Sequence, residues 1–153
     1  MSRADLLDFG VLLNLAFVAF KDALDADLAA AGFDDIGSSF GYVFRLLADQ
    51  PCSLSELASR LGMSSPGALK VVDDMVDKGY VARHADPDDR RVKRLELTDR
   101  GRAALRRARA FHARYERELA RRLGAQQVAE TRRLLEEVAA AVREPRGRVP
   151  RPA

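Results

Sequence analysis

Two clusters carry the polar chemistry of this chain. In the stretch RHADPDDRRVKRLELTDRG, residues 83–101, Asp88 and Asp89 stand directly before Arg90 and Arg91. A guanidinium offers donors in a planar fork that suits phosphate, carboxylate or a base edge, and a neighbouring carboxylate can fix the direction of that fork. Upstream, Ser53 opens SLSELASRLG, and Ser64, Ser65, Pro66 and Gly67 precede Leu69 and Lys70. Small hydroxyl residues and a proline ahead of an apolar-periodic run mark a helix start, where backbone amides and a positive partial charge face outward. Both clusters are suited to anions.

The parts of an enzyme site are missing from the sequence. There is no glycine-rich phosphate loop and no G-x-S-x-G, and no histidine lies near the single cysteine, Cys52. His84 and His112 lack partner cysteines or metal-ligand spacing, so neither a metal nor a cofactor is expected. Cys52, beside Pro51 and far from any clustered base, reads as an ordinary part-buried thiol rather than a redox switch.

Charge is distributed unevenly. Residues 1–79 hold 6 Lys/Arg against 12 Asp/Glu, residues 80–123 hold 14 against 7, and residues 124–153 hold 6 against 4, which gives −6, +7 and +2 and returns the overall +3. A basic middle segment is the footprint of a polyanion partner, although a solvated Arg-rich helix gives the same count. The apolar amino terminus carries Asp5, Asp8, Lys21 and Asp22 and has neither a basic start nor a cleavage site, and no charge-free run reaches membrane-spanning length. A reducing cytoplasm and no membrane partner are therefore expected.

These clusters need elements to hold them. Leu6, Phe9, Leu13, Phe17, Phe20, Leu24 and Leu28 recur every three or four residues and predict one long helix over 5–31. A second helix is predicted over about 38–48, with Phe40, Val43, Phe44 and Leu47 on one side. Ser53 and Glu56 form a capping box for a short third helix whose Leu54, Leu57, Ala58 and Leu61 face inward, and Gly62 ends it. Ser65 is the expected cap of a fourth helix, with Pro66 at its first position and Ala68, Val71, Val72, Met75 and Val76 inside. Helix, glycine turn, helix is a helix-turn-helix arrangement, whose second helix enters the DNA major groove by its amino-terminal residues. Strands at 80–84 and 92–98 then form a two-stranded hairpin around the turn formers ADPDDRR, a ribbon that can carry Arg90 and Arg91 into an adjacent minor groove. Long helices follow from Asp99 to Leu123 and from Gln126 to Val142, and the tail EPRGRVPRPA is expected to be disordered.

Asp89, Arg91, Leu97 and Thr98 within DDRRVKRLELT resemble the wing signature of the MarR family of winged helix-turn-helix transcription regulators. The preceding SLSELASRLGMSSPGALKVVDDMVDKGYVAR is similar to that family's helix-turn-helix. The resemblance covers about residues 36–101 in detail and implies a mainly α fold. A winged helix-turn-helix with a two-stranded β-wing would be flanked by long amino- and carboxy-terminal helices. It partitions the chain into a dimerisation helix at 1–34, a DNA-binding domain at 35–99, dimerisation helices at 100–143 and a basic tail at 144–153. It also implies a homodimer on double-stranded DNA, bound at an inverted repeat with half-sites about one helical turn apart and most simply acting as a repressor. Ser53, Ser64, Ser65, Pro66, Gly67, Leu69, Lys70, Asp89, Arg90 and Arg91 become the expected DNA-binding residues.

Some features depart from the family pattern. Gly67, Leu69 and Lys70 replace residues that often hydrogen-bond to bases, so Leu69 is left to touch a thymine methyl and DNA shape to carry specificity. Asp73, Asp74 and Asp77 on the outward face would repel phosphate, which predicts insertion by the helix tip alone. The same aspartates favour the rival reading, a winged-helix protein-interaction module that does not bind DNA. Family members often respond to small aromatic acids, and Phe17, Phe20, Phe40, Tyr42 and Phe44 are either core or the lining of such an effector pocket.

Overall fold

The computed structural model describes residues 7–143, so Leu6, the expected helix start at residue 5 and the expected disordered tail at 144–153 lie outside it. The elements run α1 (Phe9–Ala30), α2 (Phe40–Asp49), β1 (Cys52–Ser53), α3 (Leu54–Leu61), α4 (Ser65–Asp77), β2 (Val81–Ala85), β3 (Lys93–Leu97), α5 (Asp99–Leu123) and α6 (Ala125–Arg143). By internal contacts the chain divides into two compact units, one ending at Phe111 and one beginning at His112.

The core of the first unit is built from the stripes that the periodicity predicts. Phe40, Val43, Phe44 and Leu47 of α2 meet Leu57 of α3, Val72 and Met75 of α4, and Leu95 and Leu97 of β3, all buried. Tyr80 lies at its centre, with the rings of Phe40 and Phe44 set edge-on at 5.9 and 5.6 Å. Close packing around α5 requires glycine at position 101, where a Cβ would stand 2.2 Å from the Tyr80 carbonyl oxygen. Thr98 fixes this junction, donating to the Gly79 carbonyl at 2.6 Å and accepting from the Gly101 amide at 3.0 Å.

Two local expectations are corrected. The expected two-stranded hairpin forms from β2 and β3, but it is part of a three-stranded sheet: β1 pairs antiparallel with β3 through Cys52 opposite Leu95 and Ser53 opposite Arg94, and the order is β1-β3-β2. A two-residue strand has no periodicity to read, and its pairing is decided by a partner about forty residues downstream. The cap of α4 is Ser64, not Ser65. The Ser64 hydroxyl accepts from the Gly67 amide at 3.1 Å, so Ser65 and Pro66 occupy the first turn. The capping box of α3 forms as expected, and Gly62 ends that helix in the left-handed region at φ 64°.

The terminal helices are different in kind. Leu28 is the only residue of α1 that is buried, and its amino-terminal half exposes Phe9, Val11, Leu12, Leu15, Phe17 and Val18. The carboxy-terminal half is anchored within the first unit by Arg107, which grips Asp27 with two bonds of 2.7 and 2.8 Å, and by Phe111 against Phe20. In the second unit Gly124 turns the chain from α5 into α6, and Arg132 reaches Glu116 at 2.8 Å. None of the described side chains of α6 is buried, and Leu134, Leu135 and Val138 face solvent.

Candidate nucleic-acid interface

The tip of α4 stands clear of the core. Ser64, Ser65, Pro66, Leu69 and Lys70 are exposed, Leu69 at 43%, while Ala68 beneath them is buried. Proline lacks an amide hydrogen, Ser64 takes that of Gly67, and the Ala68 amide bonds the Ser64 carbonyl at 2.9 Å. The first turn therefore presents one backbone donor, that of Ser65, rather than the cluster of free amides the helix start suggests. Contact at this tip rests on the hydroxyls, the Leu69 side chain and the Lys70 charge.

The outward aspartates are less repulsive than their sequence implies. Asp73 is held by Arg83 of β2, and Asp74 pairs with Lys78 at 2.9 Å. Both ion pairs move cationic partners onto the acidic face, so two of the three charges are offset within the chain.

At the wing, the expected arrangement of carboxylate and arginine is replaced by another. Asp89 does not hold an arginine fork; its carboxylate accepts from the backbone amide of Arg91 at 3.0 Å. The carboxylate that grips a guanidinium is Asp86, which takes the Arg94 Nε–H at 2.6 Å and the amides of Asp88 and Asp89 at 2.8 and 3.2 Å. The bond from Arg94, followed by that from the Asp88 amide, holds the Asp86 carboxyl below the usual carboxylate range. Arg94 also reaches the Pro51 carbonyl at 3.5 Å and Glu56 at 3.4 Å. Arg90 and Arg91 remain exposed and form no ion pair with the described residues.

Ser53, expected at the interface, is engaged in the α3 capping box: its hydroxyl accepts from the Glu56 amide at 3.2 Å and its own amide donates to Glu56 at 2.7 Å. The five aromatics expected to line an effector pocket are dispersed. Phe40 and Phe44 are core, Phe20 meets Phe111, and Phe17 and Tyr42 are exposed at 62% and 68%. Helical spacing placed two of them where the core needed bulk and gave the others different neighbours. A groove of about 1050 Å³ runs between α3, β1 and the wing, where charged groups such as Glu56, Arg60, Asp86 and Arg94 line it beside Pro51, Cys52 and Pro87. Arg60 already meets Asp49 at 3.9 Å, and His84 Nε2 lies 3.9 Å from Glu96. Cys52 is buried in β1, more deeply than expected, and burial pushes its thiol up, away from the reactive thiolate. Among the described residues there is no cluster able to hold a metal ion, and no helix is long and apolar enough to cross a membrane.

Helix-turn-helix, a β2–β3 wing within a three-stranded sheet and flanking long helices define a winged helix-turn-helix protein. Residues 41–92 match the model of the MarR family. Three solved structures extend the likeness. The transcriptional repressor CouR, solved bound to a 23-mer DNA duplex, is 28% identical over 86% of this chain and 92% of its own, with a TM-score of 0.69. The reduced form of MarR from E. coli is 24% identical over 87% and 97%, at 0.67. YusO from Bacillus subtilis is 20% identical over 92% and 99%, at 0.66. The likeness is therefore to the MarR family over residues 41–92, and to the fold of these solved structures over most of the chain.

Proposed function

We propose that this chain is a homodimeric, sequence-specific DNA-binding transcription regulator of the cytoplasm, acting as a repressor at an inverted-repeat operator. The tip of α4 would enter the major groove through Ser64, Ser65, Pro66, Gly67, Leu69 and Lys70, while Arg91, flanked by Arg90, would enter the neighbouring minor groove. The observation that carries this reading is the pair of unspent cationic groups at the wing. Most other arginines of the first unit are tied to aspartate or glutamate, whereas Arg90 and Arg91 are left to solvent on a turn whose backbone is organised around them. The solved CouR complex supports the same use of this fold.

Dimerisation is supported by what the single chain leaves uncovered. A contiguous apolar surface on the amino-terminal half of α1, and a 19-residue α6 with no buried residue among those described, are surfaces that a second copy would cover. Ser53 and Asp89 serve here as supports for α3 and for the Arg91 backbone rather than as base readers.

Selection of bound sites from a random duplex pool tests the proposal. An inverted repeat with half-sites about one helical turn apart is expected. Affinity should fall steeply with added salt through counterion release, and Arg91→Ala should weaken binding on the order of tenfold. If no motif is enriched and no salt dependence is seen, the interaction-module reading replaces this one.

A further inference from the structure

We infer that Arg94 is the positioning residue for Arg91, acting through Asp86 to lock the wing turn onto the helix-turn-helix. This rests on the reading of Arg91 as a DNA contact. A continuous run of hydrogen bonds leads from one to the other. The Ser53 amide holds the Glu56 carboxylate at 2.7 Å, and that carboxylate faces Arg94 Nη1 at 3.4 Å. Arg94 Nε holds Asp86 at 2.6 Å, Asp86 holds the Asp88 and Asp89 amides, and the Asp89 carboxylate holds the Arg91 amide at 3.0 Å.

The chemistry of each link explains its residue type. Arg94 must bond Asp86 through Nε and face Pro51 and Glu56 through Nη1 at the same time, which needs donors on two edges of one rigid plane; a lysine offers a single point charge. Asp86 is the only buried charged residue among those described, and a carboxylate in that position requires a cationic partner or full hydrogen bonding. Without Arg94 the turn keeps only bonds made within itself: two backbone bonds, from Asp86 N to Val92 O and from Val92 N to Asp89 O, both 3.0 Å, and the amides of Asp88, Asp89 and Arg91 on the carboxylates of Asp86 and Asp89. Nothing in those bonds ties the tip to α3. A turn of that kind can form in many orientations, and an arginine that must find a narrow groove then has to be ordered on binding.

Two measurements test the proposal. In the free protein, Arg94→Met keeps the aliphatic stem and should raise amide hydrogen exchange at Asp88, Asp89 and Arg91 at least several-fold, while core amides such as that of Val72 stay protected. On duplex DNA, R94M should lower affinity about three- to tenfold in the presence of Arg91 and by less than about twofold in an Arg91→Ala background, because a residue acting through another is not additive with it. Arg94→Lys should fail to restore the full affinity. Unchanged exchange in R94M, or equal losses in both backgrounds, overturns the proposal. If R94M does not fold, Asp86→Asn, which keeps an acceptor for the turn amides and removes the charge pair, must give the same two patterns. If the wild-type chain binds no duplex, the proposed function fails by itself, and the exchange measurement still decides whether Arg94 holds the turn.

Discussion

The winged helix and the terminal helices use apolar residues in opposite ways. In the first, a large side chain such as Tyr80, Leu57 or Val72 is wholly enclosed by its own chain. In α1, Phe9 and Phe17 are about three-fifths exposed, and Val11, Leu12, Leu15 and Val18 join them around the helix, not only along one stripe. A helix apolar on most sides is one meant to be covered on most sides. The difference teaches that one part of the sequence specifies a structure complete within a single polypeptide, whereas the other leaves apolar surface unfinished, which the proposed dimer would cover.

The largest effect should come from attacking the unfinished part. Leu134→Glu combined with Leu135→Glu adds charge to a face that carries no buried residue in the single chain. The winged helix should keep its fold, sedimentation should show monomers in place of dimers, and operator affinity should drop on the order of 100-fold or more as two linked contacts become one. A wild-type protein that sediments as a monomer at micromolar concentration would erase the contrast. Within the completed part, Gly101→Ala should act on stability and not on assembly. The new methyl has no room beside the Tyr80 carbonyl, so denaturant titration should show a loss of about 2–3 kcal/mol, near the upper end for overpacking.

A sharper probe lies where Tyr80, Asp35 and Arg100 meet. The Tyr80 hydroxyl donates to Asp35, Arg100 pairs with Asp35 at 3.2 Å, and the guanidinium lies 4.7 Å from the Tyr80 ring centre. Burial, then the bond to Asp35, pushes the Tyr80 phenol up to about 12, and the Tyr80 bond in turn holds the Asp35 carboxyl below its ordinary value. A raised phenol contributes stability that is fully present below the ordinary tyrosine value of about 10 and is lost as pH climbs through the folded value. The carboxyls of Asp35 and Asp86 act at the other end, contributing above about pH 4 and losing that contribution as acid protonates them. Tyr80→Phe should cost about 1 kcal/mol at neutral pH and flatten the alkaline loss seen in the wild type. Equal alkaline slopes in the two proteins would show that the hydroxyl is not the group responsible.

What could be read from the sequence was what is local. The buried stripes of α2 and α4 follow from spacing alone, because residues three and four apart must share a face. The capping box at Ser53 and Glu56 and the left-handed Gly62 are likewise decided within a few residues. The pairing of Cys52 with Leu95, the grip of Arg94 on Asp86 and the triad of Asp35, Tyr80 and Arg100 join positions whose proximity depends on the whole fold. The alternation of β3 shows Arg94 on the face opposite Leu95, and no periodicity says which carboxylate waits there. Tyr42 illustrates the same limit from the apolar side, since its neighbours Phe40 and Phe44 enter the core while it turns to solvent.

The two serines at the head of α4 give the finest test of that boundary. Sequence favours Ser65 as the cap because Pro66 is most at home in the first helical position. The structure moves the cap one residue earlier, since proline is also tolerated in the second position, where no intrahelical bond is due, and only from position 64 does a hydroxyl reach the Gly67 amide. Ser64→Ala should therefore lower stability by about 0.5–1 kcal/mol through the lost cap, and Ser65→Ala by no more than a few tenths. On DNA the ranking should reverse if Ser65, with its free amide and exposed hydroxyl, is the one that meets phosphate. A larger stability loss from Ser65→Ala than from Ser64→Ala would return the cap to position 65, leave the Gly67 amide free at the tip, and make the head of α4 a stronger anion site than the observed hydrogen bonds allow.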